Sequence, residues 1–276
     1  MSKQISILIS NYNNGQFLER CIKSCLRQTF INKEIIIIDD LSTDNSEAIL
    51  KKYQKFRNIK IIFNKKKISN YPALNQLNVI IKAFKFSKGK IICLLDSDDF
   101  FKKNKLKEIY KYFKKNTNQD FIQDMPYFYF SQNKKILKYL NRSNSKSFPS
   151  FYPTSTMSFS RNFFKKFIFN CFFKKFPLIE IDARIAVYVN YLYSHVPYIK
   201  KNLTNYYQNN FGINSNNIKF GLNWWIKRNE MFSFLKTFYI KKKIKFNISL
   251  DYLITRIIFF LLMAINVKYK NKIKSI

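Results

Sequence analysis

The first hundred residues alternate short apolar runs with segments of helical periodicity, and this alternation constrains the fold more than any other feature of the chain. Strands that alternate with helices form βαβ units with right-handed crossovers and a mostly parallel sheet. The runs Ile35–Ile38 and Ile91–Leu95 are apolar throughout, as expected for central strands that helices cover on both faces. We therefore predict an α/β fold with strands at 5–9, 34–38, 60–63 and 90–95 and helices at 16–28, 46–56 and 73–86.

Both central runs end in carboxylates. Asp39 and Asp40 follow the first, and Asp96, Asp98 and Asp99 follow the second. The carboxyl ends of the strands form the ligand crevice in open α/β sheets. Neighbouring carboxylates repel one another unless a cation or a hydrogen-bond donor neutralises them. Oxygen ligands without nearby His or Cys suit Mg²⁺ or Mn²⁺, often together with phosphate oxygens of the ligand. The pattern predicts a divalent ion and a nucleoside diphosphate; the alternative is a capped helix start with solvated aspartates.

The chain is strongly basic, with 50 Lys and Arg against 16 Asp and Glu and a net charge of +34. This charge favours an anionic partner such as nucleic acid, acidic lipid or a phosphorylated substrate. The alternative is a compositional bias that fills neutral surface positions with Lys and Asn. A hydrophobic content of 47% excludes the disordered class. The four cysteines show no disulfide spacing and no export signal is visible, which favours a reduced, cytoplasmic setting.

The C-terminal part differs from the rest, and we predict a second unit over residues 216–276. Its 61 residues carry 13 Lys and Arg but only Glu230 and Asp251 as acids. The apolar segment Tyr252–Val267 is too short and too polar to span a bilayer, which needs about 20 apolar residues. A helix that lies in the membrane interface, with flanking lysines on anionic lipid, fits better. The alternative is a helix docked on the main domain or on a partner chain.

Ordered motifs in the first hundred residues carry a resemblance to a known family. They are the strand and turn Ile5–Asn13, the segment Leu18–Ser46 and the segment Lys88–Asp99 with its Asp-Ser-Asp. Together they resemble the inverting family-2 glycosyltransferases of GT-A fold, of the type that builds bacterial surface glycans. The resemblance covers about residues 4–210. It implies a Rossmann-like, mixed, mostly parallel sheet flanked by helices, a nucleotide-sugar domain over residues 1–215 and a helical, basic C-terminal extension.

The resemblance also implies roles for individual residues at the donor. Ser10 and Tyr12 correspond to positions that flank the nucleobase, and Asp40 to one that bonds the base or ribose. Asp98 and Asp99 correspond to positions at the ribose and the metal, and Asp96 is the first acidic position of the motif. The implied Mg²⁺ or Mn²⁺ ligands are therefore Asp96, Asp98 and Asp99, without a choice among them.

Two later segments resemble the sugar-facing part of the family site. Thr154, Ser155, Thr156 and Arg161 lie in a stretch that resembles the strand facing the donor sugar and the acceptor. The stretch Ile179–Arg184 resembles the segment that carries the catalytic base, with Asp182 at the matching position and Glu180 in reserve. Without the resemblance, a charge that favours a helix N-terminus is the better interpretation of Asp182. The segment Ser69–Asn78 departs from the family pattern, which leaves donor contacts there open.

These features predict a metal-dependent, inverting glycosyltransferase. It would move a sugar from a nucleoside-diphosphate sugar to a hydroxyl of a surface glycan or glycolipid, such as lipopolysaccharide or capsule. A bound cation stabilises the departing diphosphate, and a carboxylate takes the acceptor proton. We predict a peripheral protein on the inner face of the cytoplasmic membrane, held there by the C-terminal extension. The alternatives are a basic nucleic-acid-binding protein, for which no known motif is present, and a sugar nucleotidyltransferase of related fold.

Overall fold

The computed structural model describes residues 3–130, 135–137, 148–171, 174–208 and 218–273. The predicted alternation in the first hundred residues is present. The strands are β1 (Ile5–Asn11), β2 (Lys33–Asp39), β3 (Ile59–Phe63) and β4 (Ile91–Asp96). The helices between them are α1 (Gly15–Leu26), α2 (Ser46–Tyr53) and α3 (Pro72–Phe86).

The rest of the described chain adds five strands and five more helices. The strands are β5 (Phe100–Phe101), β6 (Phe121–Phe130), β7 (Lys135–Leu137), β8 (Met157–Ser160) and β9 (Tyr198–Gln208). The helices are α4 (Lys105–Lys115), α5 (Arg161–Asn170), α6 (Ile181–Tyr193), α7 (Leu222–Lys241) and α8 (Leu250–Ile273), the last two in the predicted extension. A single 3-10 turn, Thr154–Thr156, precedes β8.

The described strands form one mixed sheet in the order β3-β2-β1-β4-β8-β6-β9-β5, with β7 paired to β6. The first four strands are parallel, whereas β8 runs antiparallel to both β4 and β6. The chain moves outward from β1 to β3 and then returns to β4 on the other side of β1. The order of the strands therefore reverses between β1 and β4, and a crevice opens at the carboxyl ends there. The register places Ser10 beside Asp96, and Asn11 beside Asp39.

Helices cover both faces of the sheet, as the uninterrupted apolar runs predicted. Ile35 and Ile37 pack with α1, α2 and α4, while Ile36 and Ile38 pack with α3, α5 and α6 on the other side. The four cysteines are free and buried in these cores. Gly89, just before β4, lies so close to β1 that an added Cβ would be 2.5 Å from the backbone nitrogen of Ser6.

Helix α7 belongs to the core of the main domain. Its side chains Phe234, Leu235 and Phe238 are buried in the cluster that contains α5 and α6, and Phe234 contacts Phe176. Helix α8 packs against α7. The predicted boundary at residues 215 and 216 lies outside the described residues. Within the part of the chain that the structure describes, no helix is long and apolar enough to cross a membrane.

Candidate active site

A pocket of about 1010 Å³ opens at the carboxyl ends of β1, β2 and β4. The start of α6 and the end of β9 close it on the other side. Eight of the residues predicted for the site line it: Ser10, Tyr12, Asp40, Asp96, Asp98, Thr154, Glu180 and Asp182. Residues more than 80 positions apart in the sequence thus meet where the strand order reverses. Asp99, Ser155, Thr156 and Arg161 are not part of the lining.

One end of the pocket carries the residues predicted for the nucleoside. Tyr12 is 46% exposed, and the Lys67 ammonium lies 3.6 Å from the centre of its ring. The buried Asp40 accepts a hydrogen bond from Asn64 Nδ2 at 2.7 Å. Burial raises the pKa of Asp40, and the bond from Asn64 opposes that shift. This end offers a flat ring, a cation and an oriented acceptor, which suit a base and its ribose. Lys67 and Asn64 were missed because neither stands out from the sequence around it.

Asp96 lies at the centre of the pocket. Its Oδ1 accepts from Gln76 Nε2 at 2.8 Å and from Ser10 Oγ at 3.5 Å. Burial, with smaller contributions from the nearby charges of Asp98 and Asp182, raises the pKa of Asp96 to about 8. Gln76 comes from the segment of α3 that departs from the family pattern, so this segment contributes to the site. The carboxylate is therefore poised to take up a cation or a proton.

Asp98 and Asp99 point in different directions although they are adjacent. Asp98 lines the pocket, and its carbonyl oxygen accepts from Arg20 Nη2 at 2.8 Å. Asp99 is fully buried, and its Oδ1 accepts from the backbone N–H of Tyr207 at 2.7 Å. Burial and the charge of Asp98 raise the pKa of Asp99 well above its usual value. The predicted metal role of Asp99 does not agree with this position, since its carboxyl group ties the acidic segment to β9 instead.

The turn Thr154–Thr156 supports the pocket from behind. Only Thr154 reaches the lining. Ser155 is fully buried, and its Oγ accepts from the backbone N–H of Asp96 at 2.9 Å. Thr156 is buried too, and its Oγ1 donates to the carbonyl of Pro153 at 2.7 Å. Ser155 and Thr156 thus hold the turn in place and do not face the sugar, contrary to the prediction.

Arg161 lies at the opposite edge of the sheet. Its Nε donates to the carbonyl of Gly89 at 2.7 Å, and its Nη2 donates to Ser87 Oγ at 2.8 Å. Because β8 runs antiparallel to β4, the residue that follows β8 lies at the amino end of β4. The structure therefore places Arg161 away from the pocket where it was predicted to contact the sugar or acceptor, and the side chain joins α5 to the loop before β4.

A fully buried ion pair lies beneath the same turn. Lys105 Nζ donates to Asp124 Oδ1 at 2.6 Å, to the carbonyl of Ser155 at 2.7 Å and to Thr204 Oγ1 at 2.7 Å. All three ammonium donors are thus used, which a buried lysine requires. The pair joins α4, β6 and β9 to the turn that holds Asp96. Sequence reasoning missed it because Lys105 is one of many lysines and its partners are distant in sequence.

The start of α6 places two further carboxylates at the pocket. Asp182 is in the first turn, and its Oδ1 accepts from the backbone N–H of Ala183 at 2.7 Å. Burial raises the pKa of Asp182 to about 6, with a smaller contribution from the charge of Glu180. Glu180 forms an ion pair with Lys227 of α7. A carboxylate with a pKa near 6 is mostly ionised at neutral pH and remains basic enough to accept a proton.

The pocket carboxylates fit a hard divalent ion in part. Among the residues that the structure describes, no group of three His, Cys, Asp or Glu side chains is arranged to hold a metal by itself. Mg²⁺ and Mn²⁺ are often held by one or two carboxylates together with phosphate oxygens of the ligand. Asp96 and Asp98 supply such a pair. Burial and, second to it, the charge of Asp98 raise the pKa of Asp96, and a bound cation would offset both effects.

An α/β sheet with a pocket at its strand-order reversal is typical of α/β proteins that bind a ligand at the carboxyl ends of their strands. The chain belongs to glycosyl transferase family 2, whose model matches residues 6–173. The resemblance predicted from the sequence motifs is thereby confirmed.

Curated relatives match the N-terminal part of the chain. Glycosyltransferase GlyG of Streptococcus pneumoniae is 34% identical over 112 residues, which is 40% of this chain and 35% of GlyG. The poly(ribitol-phosphate) beta-N-acetylglucosaminyltransferase TarP of Staphylococcus aureus is 36% identical over 124 residues, 44% of this chain and 36% of TarP. The matched part of the chain thus spans about a third of the length of these relatives.

Solved structures match more of the chain. TarS of S. aureus in complex with UDP-GlcNAc has a TM-score of 0.61 at 15% identity, covering 84% of this chain and 66% of TarS. The mannosyltransferase PcManGT of Pyrobaculum calidifontis, in complex with GDP-Man and Mn²⁺, has a TM-score of 0.56 at 11% identity, covering 95% and 70%. These similarities confirm the fold class predicted for the chain, a mixed α/β sheet flanked by helices.

Proposed function

We propose that the protein transfers a sugar from a nucleoside-diphosphate sugar to a hydroxyl group, with inversion at the anomeric carbon. The observation that carries this proposal is the pocket itself. It brings the acidic pair Asp96 and Asp98 together with a separate carboxylate of raised pKa, Asp182. Family membership favours transfer over nucleic-acid binding, and the UDP-GlcNAc and GDP-Man complexes of TarS and PcManGT support a nucleotide-sugar donor.

The residues of the chain divide between the two ends of the donor. Ser10, Tyr12 and Asp40 would hold the nucleoside, and Asp96 and Asp98 would hold Mg²⁺ or Mn²⁺ against the diphosphate. When bound, the ion supplies charge stabilisation to the leaving diphosphate. Gln76 keeps the Asp96 carboxylate directed into the pocket through its 2.8 Å hydrogen bond. These contacts orient the donor, so that part of the entropy cost of reaction is met on binding.

Asp182 is the proposed general base. It would accept the proton of the acceptor hydroxyl as that oxygen attacks the anomeric carbon and the bond to the diphosphate breaks. A single displacement inverts the centre, whereas retention requires a second carboxylate as nucleophile, as in retaining glycosidases. Glu180 is less suited to either role because Lys227 neutralises it. The structure thus favours Asp182 over Glu180.

The proposed acceptor is a hydroxyl of a bacterial surface glycan or a lipid-linked precursor of one. Relatives named for poly(ribitol-phosphate) glycosyltransfer support a cell-surface polymer as the general acceptor class. We further propose that the protein acts as a peripheral protein at the cytoplasmic face of the membrane, where nucleotide sugars are available.

A thermal-shift panel of UDP-, GDP- and dTDP-sugars, with and without Mn²⁺, tests the proposal. We expect at least one sugar nucleotide to raise the melting temperature in an Mn²⁺-dependent manner. Asp98→Asn should remove this shift. Asp182→Asn should keep it but lower nucleoside-diphosphate release at least about 100-fold, the usual contribution of a general base. Glu47→Gln changes a carboxylate on the surface of α2 and serves as the matched control.

Two outcomes would contradict the proposal. One is a protein that no sugar nucleotide stabilises with or without Mn²⁺ while Glu47→Gln and the parent remain folded. The other is release of pyrophosphate from a nucleoside triphosphate and a sugar phosphate, which would identify a nucleotidyltransferase.

A further inference from the structure

Helix α8 presents a continuous apolar stripe to solvent. The exposed residues recur at intervals of three and four positions, which places them on one face of a helix. They are Leu250 (73% exposed), Leu253 (46%), Ile254 (42%), Ile257 (59%), Phe260 (57%), Leu261 (59%) and Ile265 (59%). The stripe runs over about 22 Å at 1.5 Å per residue. An exposed apolar surface of this extent marks a protein or membrane interaction site.

The opposite face of α8 is fixed to the main domain. Asp251 forms an ion pair with Arg228 of α7, and the fully buried Thr255 accepts from Arg228 Nε at 3.2 Å. Arg256 Nη1 donates to Asn229 Oδ1 at 2.8 Å. These contacts fix the rotation of α8 about its own axis, so the stripe faces outward because the polar residues are bound to α7.

Exposed lysines lie at the amino end of the stripe, and further lysines follow the stripe in the sequence. Lys241, Lys243 and Lys245 are exposed just before α8, and three further lysines, Lys268, Lys270 and Lys272, occur in its last part. The two acids of the region are engaged elsewhere. Asp251 is bound to Arg228, and Glu230 accepts from the backbone N–H of Leu178 at 2.7 Å. The described surface therefore combines apolar side chains with a positively charged amino end.

We propose that this stripe binds the surface of an anionic lipid membrane, with α8 lying parallel to it. Leu253, Ile257 and Leu261 would enter the region between headgroups and acyl chains, and the flanking lysines would contact lipid phosphates. Charge complementarity selects this occupant. A second copy of the chain would bring two faces of like charge together, since residues 216–276 carry 13 basic and two acidic side chains each.

Two adjacent residues of α7 connect the pocket to the helix that carries the stripe. Lys227 pairs with Glu180 in the pocket lining, and the next residue, Arg228, pairs with Asp251 at the start of α8. One turn of α7 therefore joins the pocket rim to the membrane-facing helix. The membrane contact goes beyond the proposed transfer reaction and does not require it. The further consequence, that a lipid-linked acceptor reaches the pocket from the membrane, rests on the proposed function.

Vesicle flotation of the full chain tests the proposal. We expect binding to vesicles of 30% phosphatidylglycerol in phosphatidylcholine to be at least tenfold tighter than to pure phosphatidylcholine, and weaker in 0.5 M salt. The double variant Ile257→Ser/Leu261→Ser should lower binding at least tenfold. Ile31→Ser/Phe86→Ser removes two exposed apolar side chains elsewhere (87% and 39% exposed) and should bind within twofold of the parent.

A second set of variants tests the charge. Replacing Lys241, Lys243 and Lys245 by Gln should lower binding to the anionic vesicles by up to about fivefold per lysine, with little effect on pure phosphatidylcholine. The Mn²⁺-dependent thermal shift with a sugar nucleotide, measured on the same variants, reports on the pocket separately. Failure of that shift in the parent would refute the transferase proposal and leave the membrane result standing.

Three results would overturn the membrane proposal. One is equal binding of the parent to both kinds of vesicle. Another is unchanged binding of Ile257→Ser/Leu261→Ser. The third is a dimer of the parent, measured by light scattering, that this variant converts to a monomer while neither binds vesicles; the stripe would then be an interface between copies of the chain.

Discussion

Replacing Lys227 by Met should shift the pH dependence of the reaction without removing the general base. Lys227 neutralises Glu180, and its positive charge also lowers the pKa of Asp182 directly. In Lys227→Met, the negative charge of Glu180 is no longer neutralised. This charge raises the pKa of Asp182. A single charge several ångströms away in a partly hydrated site changes the free energy of deprotonation by about 1 kcal/mol. The acidic limb of the plot of kcat/KM against pH therefore moves to higher pH by on the order of one unit.

The size of the effect depends on pH. The pKa of Asp182 is about 6, so about half the molecules are ionised there at pH 6. After a displacement of about one pH unit, roughly a tenth are ionised at pH 6, and kcat/KM falls about fivefold. At pH 8 nearly all molecules remain ionised in both proteins, so kcat/KM changes little. Glu180→Gln removes the negative charge and should move the limb in the opposite direction.

The assay is kcat/KM for nucleoside-diphosphate release between pH 5 and 9 at saturating Mn²⁺, which would keep Asp96 ionised, because this ratio reports the pKa values of the enzyme before it binds substrate. Lys236→Met, an exposed lysine of the same helix, is the matched control and should leave the profile unchanged. A uniform loss of activity at every pH would refute the electrostatic reasoning and assign Lys227 a purely packing role. A limb that does not move in either Lys227→Met or Glu180→Gln would exclude Asp182 as the titrating base.

Further predictions concern the supports of the pocket. Lys105→Met leaves Asp124 charged and unpaired in the interior and should lower the free energy of unfolding by about 3–5 kcal/mol in urea denaturation; a loss under 1 kcal/mol would contradict the buried pair. Asp99→Asn should retain the Mn²⁺-dependent thermal shift that Asp98→Asn removes, and equal loss in both would restore Asp99 as a metal ligand. Gly89→Ala should lower the free energy of unfolding by about 1–3 kcal/mol in the same denaturation experiment, because the added Cβ would clash with the backbone of β1. Unchanged stability would show that the loop before β4 can move to make room for it.

The sequence was sufficient to predict the parallel half of the sheet and the edge of the sheet at which the site lies. Uninterrupted apolar runs identify strands covered on both faces, and the carboxylates that follow them mark the crevice. Asp96 and Asp98 could be placed there by this reasoning alone. Asp182 could not, because a carboxylate in the first turn of a helix is common without any catalytic role. Only the family resemblance brought Asp182 to the same pocket.

The errors have a common physical cause, which is that local sequence does not reveal the direction of a side chain or of a short strand. Asp99 follows Asp98 directly, yet it turns toward β9, where the backbone N–H of Tyr207 is available. Arg161 was predicted at the sugar because the direction of β8 was unknown; antiparallel pairing with β4 carries it to the other edge. Lys105 and Gln76 act through partners distant in sequence, which no local pattern indicates.

Helix α7 both completes the domain core and contacts the pocket, so a C-terminal truncation that includes it would disturb both. Phe234 and Phe238 complete the core beside α6, and Lys227 compensates Glu180 at the pocket. Removing residues 222–273 would therefore expose the core and alter the pocket at the same time as it removed the lipid-facing stripe. Removing α8 alone would leave Arg228 without Asp251 and would take Tyr252 away from the buried Phe232, but the core cluster beside α6 contains no residue of α8. Substitutions within α8 are therefore the way to test the proposed membrane binding without disturbing the proposed transfer. Changes in α7 would affect both, because α7 belongs to the domain core and contacts the pocket as well as α8.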